Sequence, residues 1–130
     1  MKKLKIAAYT RSAVDLDDKF KISSTEMQRN TITEYVNKNF SDTILDFFED
    51  PNCSGLNFNR TNYQKLIKKI LNGNYDILIM NDLSRFSRCF SKSFEELKKI
   101  KNAGVRIIII DQNLDLFFEE GLVLSQFKFL

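Results

Sequence analysis

The residues best equipped for chemistry lie in Asp82-Leu83-Ser84-Arg85-Phe86-Ser87-Arg88. Arg85 and Arg88 offer two guanidinium forks with the hydroxyls of Ser84 and Ser87 interleaved, a combination suited to a phosphate. A solvated loop with incidental charges accounts for the same letters. The 130 residues include no histidine. That removes the commonest general base and, with it, Ser-His-Asp and Cys-His nucleophile schemes. Cys53 and Cys89 lack a paired spacing for zinc and read as free thiols in a reducing compartment. No metal and no cofactor is expected. A net charge of +3 permits a nucleic-acid partner without establishing one.

Such a loop needs rigid elements to aim it. It follows residues 75–80, an apolar run bounded by Gly73 and Asn81 that reads as a buried strand. The arginines then fall beyond the carboxyl end of a strand, where open α/β sheets place their ligands. Residues 3–9, 43–48 and 105–110 read as three further strands. Between them lie helical patterns. One opens on a Ser23/Glu26 capping box and runs through Met27, Ile32, Tyr35 and Val36 to about Asn39. Another carries Tyr63, Leu66, Ile67, Ile70 and Leu71, with Thr61 or Asn62 as cap and Gly73 past its end. A third has a Ser93/Glu96 capping box, then Phe94, Leu97, Ile100 and Ala103, and stops at Gly104. Residues 10–23 show no periodicity and read as a loop. The alternation predicts an α/β fold, a mostly parallel central sheet of four or five strands flanked by helices.

With 43% hydrophobic and 28% charged residues the chain is globular, and no apolar run is long enough to span a bilayer. The basic start lacks the apolar stretch of a signal peptide, so cytoplasmic residence and no membrane partner are expected. Residues 116–130 are rich in large apolar groups. They either pack on their own sheet or begin a longer helix made to meet a partner.

Taken in order, the strand ends carry Tyr9-Thr10-Arg11-Ser12-Ala13 and the first helix carries Gln28. Asp50 precedes Ser54-Gly55, Asn59-Arg60 opens a helix, and Asp82 to Arg88 follows the third strand. At these spacings the set resembles the catalytic domain of the serine recombinases, the resolvase/invertase and large serine integrase group. Asp-Leu-Ser-Arg-Phe looks more like the large type. The resemblance implies a resolvase-like fold and site-specific recombination of double-stranded DNA by a mobile-element enzyme. A serine would attack the scissile phosphodiester through a 5′-phosphoseryl intermediate, in a homodimer assembling to a tetramer on DNA. By position, Arg11, Arg60, Arg85 and Arg88 match the family's phosphate-binding arginines. Tyr9 matches the strand-end tyrosine, Gln28 the glutamine behind the nucleophile loop, and Asp50 an acidic residue near the site. Fixed guanidinium groups would clamp the pentavalent transition state, as Mg²⁺ does elsewhere.

Two departures stand out. The motif serine falls on Ala13, which has no nucleophile. Ala13 marks an engineered block or a naturally inactive relative, or else neighbouring Ser12 makes the attack. The aspartate common before the third-strand arginine is Ser84, with Asp82 two residues earlier. Residues 1–120 are expected to form the catalytic domain and 121–130 the start of a truncated dimerisation helix, with the DNA-binding domain absent. Two other readings compete. One is a DNA-binding or assembly relative without chemistry; the other is a receiver-like phosphate-binding domain, which would cluster acids where Tyr9 and Arg11 stand.

Overall fold

In the computed structural model β1 (Leu4–Arg11) is buried from Ile6 onward, and its side chains alternate between two apolar layers. The structure describes residues 3–12, 18–50, 60–86, 90–111 and 114–116, with backbone alone at 18–24, 84, 85, 90 and 114–116. After β1 come α1 (Asp18–Asn39), β2 (Thr43–Asp50), α2 (Thr61–Leu71), β3 (Ile77–Met80) and α3 (Leu83–Phe86). The order closes with α4 (Phe90–Asn102), β4 (Arg106–Ile109) and β5 (Leu114–Leu116). The sheet order is β2-β1-β3-β4-β5, with the first four strands parallel and β5 antiparallel to β4. This is the expected architecture.

Period-two alternation divides the core. Ala7, Tyr9, Leu78, Met80, Ile107 and Ile109 face α2 and α4, meeting Tyr63, Leu66, Ile67, Ile70, Leu97 and Ile100. Ile6, Ala8, Ile77, Ile79 and Ile108 face α1 and meet Ile32 and Val36. Burying both faces explains why the strands read as continuous apolar runs. Among the described residues no helix is long and apolar enough to cross a membrane.

Several boundaries differ from the sequence expectation, each for a tertiary reason. β1 continues through Thr10 and Arg11 because its ladder with β2 runs on to Arg11↔Asp50. Hydropathy cannot register a strand end whose buried residues are polar. α1 starts at Asp18, ahead of the expected capping box; its first turns carry no apolar period, yet no Gly or Pro interrupts them. Met27 is exposed, and the buried stripe is Thr25, Gln28, Ile32 and Val36. α4 likewise begins at Phe90, so Ser93 is an interior, buried residue and Glu96 serves elsewhere. The arginine-bearing stretch after β3 contains a helical turn of its own, α3. Residues 117–130, including the expected dimerisation helix, lie outside the described residues.

α2 ends as its sequence predicts. The Gly73 N–H donates to the Ile70 carbonyl and the Asn74 N–H to that of Lys69, each at 3.0 Å, the paired bonds of a Schellman cap. Gly73 sits at φ +80°, and no atom lies within 4 Å of the point a β-carbon would occupy, so an added side chain meets backbone strain alone. Gly73→Ala should therefore destabilise the fold by about 1 kcal/mol, read from the urea midpoint.

Candidate active site

The carboxyl ends of β1 and β2 converge on one buried carboxylate. Asp50 Oδ1 accepts the Asn62 N–H at 3.0 Å, and Oδ2 accepts the Tyr63 N–H at 2.9 Å. These are the second and third residues of α2, the positions an N-cap side chain ordinarily satisfies. The residue at the cap itself is Arg60, extended at φ −122° and ψ 127°, and it supplies no capping bond. Neither Thr61 nor Asn62 is the cap, contrary to expectation. The cap is delivered across space by the last residue of β2, and its negative charge opposes the positive end of the α2 dipole.

Asp50 Oδ2 also accepts the Tyr9 hydroxyl at 2.9 Å. The Tyr9 oxygen in turn accepts from Arg60 Nη1 at 3.2 Å, and the same nitrogen donates to the Phe86 carbonyl on α3. Arg60, Tyr9 and Asp50 thus form a cation–phenol–anion relay, fully buried, in which each bond polarises the next. Three rings support it edge to face. Centroids lie 5.6 Å apart for Tyr9 and Tyr63, 6.5 Å for Tyr9 and Phe86, and 5.5 Å for Tyr63 and Phe86. The Tyr63 hydroxyl donates to Glu96 Oε1 at 2.6 Å, tying α4 to the same cluster. Burial, above all, pushes both phenols far above their ordinary value; Arg60 pulls each back, while Asp50 and Glu96 add to the rise. Tyr9 therefore stays protonated and acts as a donor, not as a base.

Arg11 and Ser12 join through the backbone. The Ser12 N–H reaches the Asp50 carbonyl at 3.4 Å, continuing the β1–β2 ladder. In a parallel ladder alternate residues face opposite neighbours, so the peptide groups of Arg11 point toward β3. There, however, β3 has already stopped, its last pair being Tyr9↔Met80. Gln28 fills the gap: its Nε2 donates to the Arg11 carbonyl at 3.0 Å and its Oε1 accepts the Arg11 N–H at 3.3 Å. One side-chain amide takes the place of a missing strand residue, which explains a glutamine only 2% exposed on a helix.

The structure thus brings Tyr9, Arg11, Ser12, Gln28 and Arg60 together with Asp50 at one end of the sheet. Arg11 and Arg60 are each 1% exposed and Ser12 is 0%. Arg85 lies on α3 beside Phe86, described by backbone alone, while Arg88 and Ala13 lie outside the described residues. Sequence reasoning missed Tyr63, Glu96 and the Phe86 carbonyl. Tyr63 was legible as apolar stripe, but a buried hydroxyl needing a partner was a second signal in the same letter. Among the described residues no group of three or more Cys, Asp or Glu is placed to hold a metal ion.

Comparison with known proteins bears on the family and the fold. The family model described as "Resolvase, N terminal domain" matches residues 6–128. The N-terminal catalytic domain of TP901-1 integrase shares the fold with a TM-score of 0.74 at 24% identity, over 85% of this chain and 81% of that one. A resolvase family site-specific recombinase from Streptococcus pneumoniae gives 0.71 at 22% identity, over 87% and 76%. A serine recombinase from Sulfolobus solfataricus gives 0.58 at 27% identity, over 83% and 69%. No curated protein matches the chain.

Removing the shared acceptor tests the cluster. Asp50→Ala should cost about 2–4 kcal/mol in urea unfolding, since one buried change strips two helix N–H groups and a phenol of their partner. Alkali provides a second check. The folded pKa of Tyr9 and Tyr63 is raised above the unfolded value, so their contribution is complete below about pH 10 and is lost as pH climbs further. Urea midpoints should fall over that alkaline range, and less so in a Tyr9→Phe, Tyr63→Phe double variant.

Proposed function

Because the chain belongs to the resolvase N-terminal domain family, we propose that it cuts and rejoins double-stranded DNA as the catalytic domain of a site-specific recombinase. The observation that carries this reading is the assembly of Arg60 and Arg11 from separate elements around Asp50, beside Ser12 and the α3 turn bearing Arg85. Preset guanidinium groups at the carboxyl ends of parallel strands suit the charge that grows on the oxygens of a phosphodiester under attack. Arg85 and Arg88 would complete the clamp. The serine hydroxyl gives up its proton as its oxygen bonds to phosphorus, the P–O bond to the 3′ oxygen breaks and that oxygen takes up a proton, and the reverse attack reseals the strand. Tyr9 and Asp50 hold Arg60 in place, and Gln28 fixes the strand end that carries Arg11 and Ser12.

Burial bears on how such a clamp works. Arg11, Ser12 and Arg60 are all covered, so engaging a phosphate requires the site to open. Assembly of two dimers on DNA, with residues 121–130 beginning the pairing helix, would supply the energy for that opening.

A second reading, a relative that binds DNA without cleaving it, draws on two observations. Position 13 is alanine. Ser12 still sits on the β1–β2 ladder, where alternation sends neighbouring side chains to opposite faces, so its hydroxyl departs from the Arg11 side.

Incubation with supercoiled DNA carrying the protein's recombination sites separates the readings. Active chemistry by Ser12 gives a covalent protein–DNA adduct that vanishes on Ser12→Ala. An adduct formed only after Ala13→Ser identifies an inactivated site, and none in either protein leaves the binding relative. Wherever adduct forms, Arg60→Ala should slow it by about 100- to 1000-fold, the cost of losing one preset donor to a developing oxyanion.

A further inference from the structure

β2 is an edge strand, paired with β1 on one side and with no described strand on the other. Toward its carboxyl end this edge borders a groove of about 420 Å³ lined by Arg29, Phe47, Phe48, Glu49, Asn62 and Lys65. Phe47 packs into the α1 layer and Phe48 into the α2 layer, so the two rings flank the edge. Each ring carries a cation. The Arg29 guanidinium lies 4.4 Å from the Phe47 centroid, and the Lys69 ammonium 5.9 Å from that of Phe48. Arg29 is further held by Glu49 at 3.0 Å. Lys65, also on the groove wall, is exposed and has no ion-pair or hydrogen-bond partner among the described residues.

The groove is continuous with the candidate active site. Asn62 gives its backbone N–H to Asp50 at 3.0 Å and its side-chain amide to the Glu49 carbonyl at 2.6 Å, so one residue walls both. Lys65 stands one helical turn beyond Asn62, about 4.5 Å along the α2 axis.

We propose that this groove grips a backbone phosphate of the DNA strand flanking the scissile phosphodiester, with Arg29 and Lys65 as its cationic jaws. The inference rests on the reading of the adjoining cluster as a DNA phosphate clamp. The guanidinium of Arg29 has donors to spare beyond Glu49, and its seat on Phe47 limits the side-chain entropy lost on binding. Lys65 contributes a point charge. Contacts of this kind set the position of the strand and read no sequence.

The test is the salt dependence of binding of the 130-residue chain to a duplex of arbitrary sequence. Losing the one phosphate contact should make the log–log slope shallower by about 0.9, so the Lys65→Gln, Arg29→Gln double variant should show that change and each single variant a part of it. Lys38→Gln, in the last turn of α1 and outside the groove, should keep the wild-type slope. Wild-type slopes in Lys65→Gln and Arg29→Gln overturn the proposal, as does an equal loss in Lys38→Gln or the absence of salt-dependent binding by the wild type. The underlying reading fails separately. If Arg60→Ala leaves both binding and adduct formation unchanged while the two groove variants weaken binding, the groove holds DNA and the neighbouring cluster is not its clamp.

Discussion

Everything at the carboxyl end of the sheet leans on the Asp50 carboxylate. It ends β2, caps α2 from outside the helix and fixes the phenol that steadies Arg60. A carboxylate buried this deeply is tolerable only when its oxygens are occupied, and here three donors fill them. The arrangement converts a local need into a global constraint. α2 can start only where Asp50 reaches its N–H groups, so the position of Arg60 is set by the register of β2 against β1. A slip of one residue in that register would move Asp50 to the opposite face and uncap the helix.

The same logic runs through the rest of the cluster. Gln28 closes the hydrogen bonds left open where β3 stops short of β1. The Tyr63–Glu96 bond carries the position of α4 into the ring cluster beneath Tyr9 and Arg60. Asp50, Gln28 and Arg60 each answer backbone groups that the fold leaves open, which is why they can be buried together. Rigidity of this kind suits preorganised electrostatics, because donors already held in place need not reorganise as charge develops.

Beside this dense centre the β2 edge is organised differently. Its cations rest on ring faces at the surface instead of being locked into the interior. Buried arginines and surface cations therefore meet at Asn62, the residue shared by both. A strand of DNA engaging one would pass directly to the other.

The sequence by itself determined the α/β class, the parallel order of elements and the clean stripe of α2 with its glycine stop; Tyr9, Arg11, Gln28 and Arg60 it offered only through a family resemblance. These are readable because apolar period, turn chemistry and motif spacing are local properties of the chain. It misplaced the starts of α1 and α4, since both capping boxes fall inside longer helices. It also gave β1 too early an end and α2 the wrong cap. Only the tertiary structure decided those points, along with the Asp50 cap, the Gln28 substitute for a strand and the Tyr63–Glu96 link. The donors and acceptors involved are 12 to 41 residues apart, far beyond the two- to four-residue spacings that local patterns read. The arginines of the Asp82 to Arg88 stretch show the same division. Their spacing suits a phosphate, while the buried arginines described beside that stretch stand at the end of β1 and at the cap of α2.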